Sequence, residues 1–272
     1  MKASSVPLAP PVIAERHKQK LGSRRHAILD AVRRRGSCSL AELAADLEVS
    51  TETVRRDILP LVQQGLLDKV HGGVKWPDRK DEPPIQQRLV ENMEAKRAIA
   101  EALAREIADG EAIMLDMGST TLYAAQALRG HAGLTVVTNS PDIGRALTDG
   151  EGNRVYLAGG EMRGDDGAIF GPSALAFVRQ FTANTAILSV GGMDADIGIM
   201  DRQLWEAELA RAYIAQSERT IVVADRTKFG QRSLVRICGF DQVDVLITDS
   251  EPPADFLKQL RDAKVRVIVA SA

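Results

Sequence analysis

Cysteine is nearly absent from the chain. There are two, Cys38 and Cys238, distant from each other and outside any metal-ligand spacing. That excludes a disulfide framework or a zinc ribbon, leaves two reduced thiols, and suits a cytoplasmic location. Long apolar runs are also absent. None approaches the roughly 18–20 residues needed to cross a bilayer, so no membrane partner is expected. The stretch MKASSVPLAPPVIAERHKQK has no continuous apolar core and holds three prolines. It reads as a disordered arm over residues 1–20 and not as a signal peptide.

What is present fits one small and one medium domain in 272 residues. The overall net charge of -2 conceals a split. Residues 1–80 hold 15 Lys and Arg against 9 Asp and Glu, a net +6, and the remainder holds 20 against 28, a net −8. A basic small domain beside an acidic large one is the pattern of a nucleic-acid reader with a separate regulatory body.

The small domain is expected over residues 21–76. Ser23 to Arg35 reads as a first helix, with Ile28, Leu29 and Val32 on its apolar side and Gly36 ending it. Ser39-Leu40-Ala41-Glu42 matches a capping box, and Leu40, Leu43, Ala44 and Leu47 give the second helix its stripe. After the turn at Glu48-Val49-Ser50, Val54, Ile58, Leu61 and Val62 form one side of a third helix. Glu52, Thr53 and Arg56 face the other way, with Arg55 on the flank. Two short helices joined by a tight turn predict a helix-turn-helix, whose second helix docks in the major groove. Pro60 stands inside that helix. A proline there removes an N–H and clashes with the preceding turn, so a kink or an early end near Leu59 is expected. Downstream, Leu66–Val70 and Val74–Trp76 flank His71-Gly72-Gly73 and predict a two-stranded wing, the glycine pair supplying positive φ. His71 and Lys75 are candidates for phosphate contact, and Trp76 for a core or interdomain anchor.

The run ELAADLEVSTETVRRDI followed by QGLLDKVHGG resembles the winged helix-turn-helix of the DeoR family of bacterial transcriptional regulators. The resemblance implies Ser50, Thr51, Thr53, Arg55 and Arg56 as contacts to double-stranded operator DNA.

Residues 77–91, beginning with the proline-rich PDRKDEPP, are expected as a linker, and residues 92–272 as the second domain. A helix is expected over about Asn92 to Ala108. After it come seven short apolar runs: Ala112–Leu115, Leu134–Val137, Val155–Leu157, Ala186–Val190, Ile221–Ala224, Val243–Ile247 and Val265–Val269. Val and Ile dominate them, with few polar interruptions. They predict an α/β fold, with strands of a mostly parallel sheet covered on both faces by helices. Polar or glycine residues follow most of the runs, at the carboxyl ends of strands where α/β sheets bind ligands. Asp116-Met117-Gly118-Ser119-Thr120-Thr121 is the sharpest case. A strand passes into a glycine and three hydroxyls at a helix start, which makes an anion cradle. No G-K-[ST] follows and the loop is not G-x-G-x-x-G, so a nucleoside triphosphate is not expected there, nor any cofactor or metal. In Ala224–Gly230, Lys228 is a second candidate for phosphate pairing.

LDMGSTT, TVVTNS, LAGGEMRG, Gly171-Pro172 and ADRTKFG resemble the effector half of the same family. That half is similar in fold to ribose-5-phosphate isomerase and senses phosphorylated sugars. The resemblance implies that Gly118, Ser119, Thr120 and Thr121 hold the phosphate, and that Asp116, Asn139, Gly160, Arg163, Asp225 and Lys228 line the rest. It implies a repressor of sugar-metabolism genes, working as a homo-oligomer, a dimer or tetramer, and not an enzyme. The competing reading is an isomerase-like enzyme with an added DNA-binding domain, in which Asp116, Asp194, Asp201 or Glu206 is a general base and Lys228 an electrophile.

Overall fold

The computed structural model describes residues 24–25, 27–32, 35–63, 67–70, 72–75, 83–163 and 167–271. The expected N-terminal arm, His71 and Trp76 lie outside the described residues. The chain divides into two compact units, Met1–Lys80 and Asp81–Ala272.

In the N-terminal unit, residues 24–25 and 27–32 are helical (α1). The chain then forms β1 (Ser37–Ser39), α2 (Leu40–Asp46), α3 (Thr51–Gln63), β2 (Asp68–Val70) and β3 (Gly73–Lys75). The apolar stripes of the three helices meet in one core of Ile28, Val32, Leu43, Val54, Ile58 and Leu61, closed by Leu67 and Val74 from the wing. The capping box is made in full: the Ser39 hydroxyl accepts from the Glu42 amide at 3.2 Å, and the Ser39 amide donates to Glu42 Oε2 at 2.7 Å.

Two features differ from expectation. The wing has three strands in the order β1-β3-β2, not two. β1 explains one glycine, because a Cβ on Gly73 would stand 2.3 Å from the Cys38 carbonyl oxygen. Only Gly72 needs its positive φ, of 78°. The second difference is that α3 does not end near Leu59; it continues through Pro60 to Gln63. Proline deletes its own N–H and crowds the preceding turn, and neither is enough to end the helix here. Ile58 and Leu61, on either side of it, are buried in the core, and that burial holds the helical turn together.

The C-terminal unit opens with α4 (Ile85–Val90) and α5 (Met93–Ala104). Helix α4 falls inside the stretch expected as a linker, with Gln87 and Arg88 buried; charge and proline content conceal a helix that packs through polar side chains. There follow β4 (Ala112–Leu115), α6 (Ser119–Ala127), β5 (Thr135–Thr138), α7 (Pro141–Thr148), β6 (Arg154–Leu157), β7 (Glu161–Met162), β8 (Ile169–Phe170) and α8 (Pro172–Val178). The chain continues as β9 (Ala183–Leu188), β10 (Gly192–Asp194), β11 (Gly198–Asp201), α9 (Leu204–Ala215), β12 (Ser217–Val223), β13 (Val235–Cys238), β14 (Val245–Thr248), α10 (Ala254–Asp262) and β15 (Arg266–Val269).

The seven apolar runs make one seven-stranded sheet, ordered β15-β14-β12-β9-β4-β5-β6 with every pairing parallel. Alternate residues serve opposite faces, as the two-residue repeat of a strand requires. Ile113, Leu115, Ile187, Ile221, Val223 and Ile247 pack with α5, α6 and α7. Met114, Ala186, Leu188, Val222 and Leu246 pack with α8, α9 and α10. From β4 the chain steps outward through β5 and β6. It then returns to lay β9 on the other side of β4 and steps outward through β12, β14 and β15. The switch in direction lies between β4 and β9, and an open α/β sheet binds its ligand at such a crevice. The small sheets β10-β11-β13 and β7-β8 lie outside the seven-stranded sheet.

Replacing Pro60 by Ala restores an N–H within a helix that already continues. The substitution is expected to raise stability by about 1–3 kcal/mol, read as a higher urea midpoint with an unchanged m-value. An unchanged or lower midpoint would show that proline at this position costs the helix nothing.

Candidate functional site

Helix α3 presents its expected outer face to solvent. The Arg55 and Arg56 side chains are 65% and 81% exposed, and both pair with Glu52, at 2.8 and 3.9 Å. Pairs so exposed contribute little to stability, so the arginines can exchange Glu52 for a stronger anion. Ser50 caps the helix. Its hydroxyl accepts from the Thr53 amide at 3.2 Å and lies 2.9 Å from the Thr53 hydroxyl. Thr51 is exposed, and Thr53 and Lys75 are half-buried. The base of α3 is anchored by Asp57, which is buried and accepts a charge-assisted hydrogen bond from Arg24. The helix is thus fixed on its inner side while its cations stay exposed.

The second candidate site is at the switch point of the large sheet. The Asp116 carboxylate leaves β4 and accepts from the Ser189 amide, which leaves β9, at 3.1 and 3.2 Å through its two oxygens. The Ser189 hydroxyl lies 3.4 Å from Asp116 Oδ1 and donates to the Met117 carbonyl at 3.1 Å. This contact leaves no room for a side chain at the next turn, because a Cβ on Gly118 would sit 2.1 Å from the Ser189 hydroxyl oxygen. Gly118 is the N-cap of α6 and brings no side chain to the first N–H groups of that helix. Those groups and the helix dipole favour an anion. Ser119, Thr120 and Thr121 are all buried. Thr121 turns its hydroxyl back to the Gly118 carbonyl at 3.1 Å.

Beside this turn is a pocket lined by Asp116, Met117, Asn139, Phe170, Asp201, Glu206, Leu209, Ala210 and Tyr213. Its ionisable lining groups are acids and one phenol. Burial pushes the Asp116 carboxyl well above the usual carboxylate range; the nearby Asp201 charge adds to this, and the Ser189 hydrogen bonds oppose it. Burial likewise raises the Tyr213 phenol well above its ordinary value. Tyr213 donates to Asn139 Oδ1 at 3.3 Å, and Asn139 Nδ2 donates to the Ile169 carbonyl at 3.1 Å.

Of the sequence candidates, Asp116, Asn139, Asp201 and Glu206 line the pocket, and Gly118–Thr121 form its adjoining turn. Asp225 and Lys228 follow β12, two strands away from β4. The buried Asp225 accepts from the amide and hydroxyl of Thr227 and ends the strand in a 3-10 turn over Arg226–Lys228. Burial is the largest influence on its carboxyl and acts upward. The Thr227 hydrogen bonds and the charges of Lys228 and Lys96 outweigh it and hold the group below its ordinary value. Gly160 and Arg163 lie beyond β6, outside the pocket lining. A Cβ on Gly160 would stand 3.0 Å from the Phe170 carbonyl oxygen. The Arg163 guanidinium stacks 4.5 Å from the Trp205 ring centroid, a cation–π contact. Asp194 turns inward on its own loop, accepting from the Asp196 and Ile197 amides at 3.0 Å, and pairs with Arg232. It takes no part in the pocket.

Three residues escape a reading of strand ends: Ser189, Tyr213 and Lys96. Tyr213 is inside α9 and looks like any core aromatic. Lys96, on α5, is 4% exposed. Burial lowers its ammonium to about 8, with Asp225 opposing and Lys228 assisting the shift. Among the described residues no cluster of three or more His, Cys, Asp or Glu is placed to hold a metal ion, and no helix is long and apolar enough to cross a membrane.

Residues 24–80 match the DeoR-like helix-turn-helix domain, and residues 91–250 the DeoR C terminal sensor domain. The glycerol-3-phosphate regulon repressor of Escherichia coli K12 is 33% identical over 248 residues, covering 91% of this chain and 98% of that one. The repressor CsqR of the same organism is 36% identical over 91% of this chain and 95% of its own. The transcriptional repressor AccR of Agrobacterium fabrum is 36% identical over 84% and 89%. Among solved structures, a D-ribose-5-phosphate isomerase in complex with phospho-erythronic acid is similar at a TM-score of 0.38 and 16% identity, over 50% of this chain and 54% of that one; a likeness at that level carries no functional weight. The two domain matches follow one another along the chain, and the three relatives align along most of it: the chain belongs to the DeoR family.

Proposed function

We propose that the protein is a transcriptional repressor that holds an operator through α3 and the wing, and that a phosphorylated sugar bound at the switch point of the C-terminal sheet alters that hold. The observation that carries the reading is the coexistence in one chain of two open cation pairs on α3 and a glycine-started helix at the sheet's crevice. Arg55 and Arg56, with Ser50, Thr51 and Thr53, supply the contacts in the groove, and Lys75 and His71 supply contacts to phosphates. The sugar's phosphate rests on the first turn of α6, at Gly118–Thr121, with Lys228 as its counter-charge. The sugar's hydroxyls donate into the acidic pocket of Asp116, Asp201 and Glu206, where carboxylates are the matching acceptors. Asn139 completes the pocket, Asp225 stands beside Lys228, and Gly160 and Arg163 lie further out, beyond β6. A phosphate at the acidic end would meet like charge, so the ligand has one orientation. The relatives' printed names, a glycerol-3-phosphate regulon repressor among them, agree with a small phosphorylated ligand.

The protein acts in the cytoplasm, where the buried, free Cys38 and Cys238 stay reduced. It works as a homo-oligomer, because a single module makes too small a specific interface with DNA and paired modules read paired half-sites. An enzymatic role is not favoured. The relatives that align along most of the chain are named as repressors, and Asp194 faces away from the pocket, which removes one of the four carboxylates available as a general base.

Changing Arg55 or Arg56 to Ala is expected to cost about 1–3 kcal/mol of operator binding, roughly 5–150-fold in affinity, while ligand binding stays intact. Operator affinity that is unchanged in titrations at fixed salt would remove α3 from the interface. The pair Thr120→Val with Lys228→Met is expected to keep operator affinity and lose the response to phosphorylated sugars. Thermal-shift measurements on the full chain check the second half, since a ligand that binds only the folded state raises its melting temperature. A double variant that still shifts like the unaltered protein would move the effector site elsewhere.

A further inference from the structure

Helix α4 is the first element of the C-terminal unit and starts five residues past Lys80, where the N-terminal unit ends. It is only six residues long, too short to be stable on its own. Its last turn is instead held by two side chains of the sensor domain. Lys96, from α5, donates to the carbonyls of Arg88 and Glu91. Tyr123, from α6, donates to the Leu89 carbonyl at 3.0 Å. Three of the carbonyls that a helix end leaves without intrahelical partners are thereby taken up by two donors.

Neither donor is remote from the proposed effector site. Tyr123 is one turn into α6, the helix whose first residues form the anion cradle. Lys96 is buried, and the charges of Asp225 and Lys228 act on its ammonium. At its other end, α4 is tied by the Arg88 guanidinium, which donates to the Pro83 carbonyl at 2.9 Å.

We propose that α4 is the relay of the sensor: Lys96 and Tyr123 clamp its carbonyls while the effector site lacks an anion, and a phosphate seated at α6 and Lys228 loosens that clamp. This rests on the effector reading above. A phosphate brings negative charge toward a buried ammonium that is hydrogen-bonded to two neutral carbonyls and feels the charges of Asp225 and Glu91. In a low-dielectric setting that charge competes strongly for it. The shift of Lys96 toward a neutral amine records how weakly its present partners compensate its burial. A ligand moves an equilibrium only through a difference in affinity for two states, and the clamped and released states of α4 place the Lys96 ammonium differently in the field of the phosphate. Lys96 and Tyr123 act through α4 as positioning residues and do not contact the ligand directly.

The test is hydrogen–deuterium exchange on the full chain, with inorganic phosphate as the probe. Wild-type protein is expected to gain protection at residues 118–122 and to exchange faster at residues 85–91. In Lys96→Met and Tyr123→Phe the protection at 118–122 is expected to persist and the phosphate-dependent change at 85–91 to be largely lost. Lys96→Arg keeps a buried cation and is expected to recover part of the change. Tyr123→Phe removes one hydroxyl from a packed ring and folds even if the lysine variant does not. Protection at 118–122 with no change at 85–91, or a change at 85–91 that survives in both variants, overturns the relay alone. No protection at 118–122 in the wild type overturns the effector reading, and the relay with it.

Discussion

The Asp116–Ser189 contact is the constraint on which the C-terminal unit depends. It joins the ends of β4 and β9, the two strands at which the sheet reverses direction. A buried carboxylate is costly unless its lone pairs are used. Here they are used by the amide of the neighbouring strand end, so the sheet cannot open at its switch point without exposing an unpaired carboxyl. The same contact makes glycine necessary at 118, because the Ser189 hydroxyl occupies the space of a Cβ. Glycine at that position in turn leaves α6 without a side-chain cap. One structural contact therefore leaves open N–H groups at the start of α6, beside the acids that line the pocket.

The N-terminal unit follows a similar rule with opposite sign. Asp57 is buried and paired with Arg24, while Arg55 and Arg56 stay on the outer face with only Glu52 between them. A half-buried ion pair on the inner side fixes the helix. The exposed pairs are weak, and weak pairs are what a surface that must exchange partners requires. Helix α4 is short, polar in its packing, and dependent on side chains of the sensor for its last turn.

Much of this was legible from residue order. The seven apolar runs predicted the seven strands, because strands covered on both faces must be apolar throughout, and uninterrupted Val and Ile carry that signal. The capping box at Ser39–Glu42 is local and was readable for that reason. The strand β1 was not, since Ser37-Cys38-Ser39 is polar and becomes a strand only because β3 offers it an edge. The continuation of α3 past Pro60 was not either. Local propensity argues for a stop, and the burial of Ile58 and Leu61 on either side overrides it. Helix α4 was hidden in a charged, proline-rich stretch for the same reason: its partners, Lys96 and Tyr123, come from α5 and α6.

The sequence by itself determined the family, through the resemblance of its local motifs, and the order of the two domains, the parallel sheet and the hydroxyl-rich turn at Gly118–Thr121, because these depend on periodicity and on neighbours along the chain. Only the tertiary structure decided which strand ends meet. It brought Ser189 to Asp116 across the switch point, set Tyr213 against Asn139, and left Gly160 and Arg163 outside the pocket lining. It also turned Lys96 from one more basic residue on a helix into a buried donor to the Arg88 and Glu91 carbonyls. Such pairings join residues far apart in the chain, and their energies come from burial and hydrogen bonding that exist only once the chain has closed on itself.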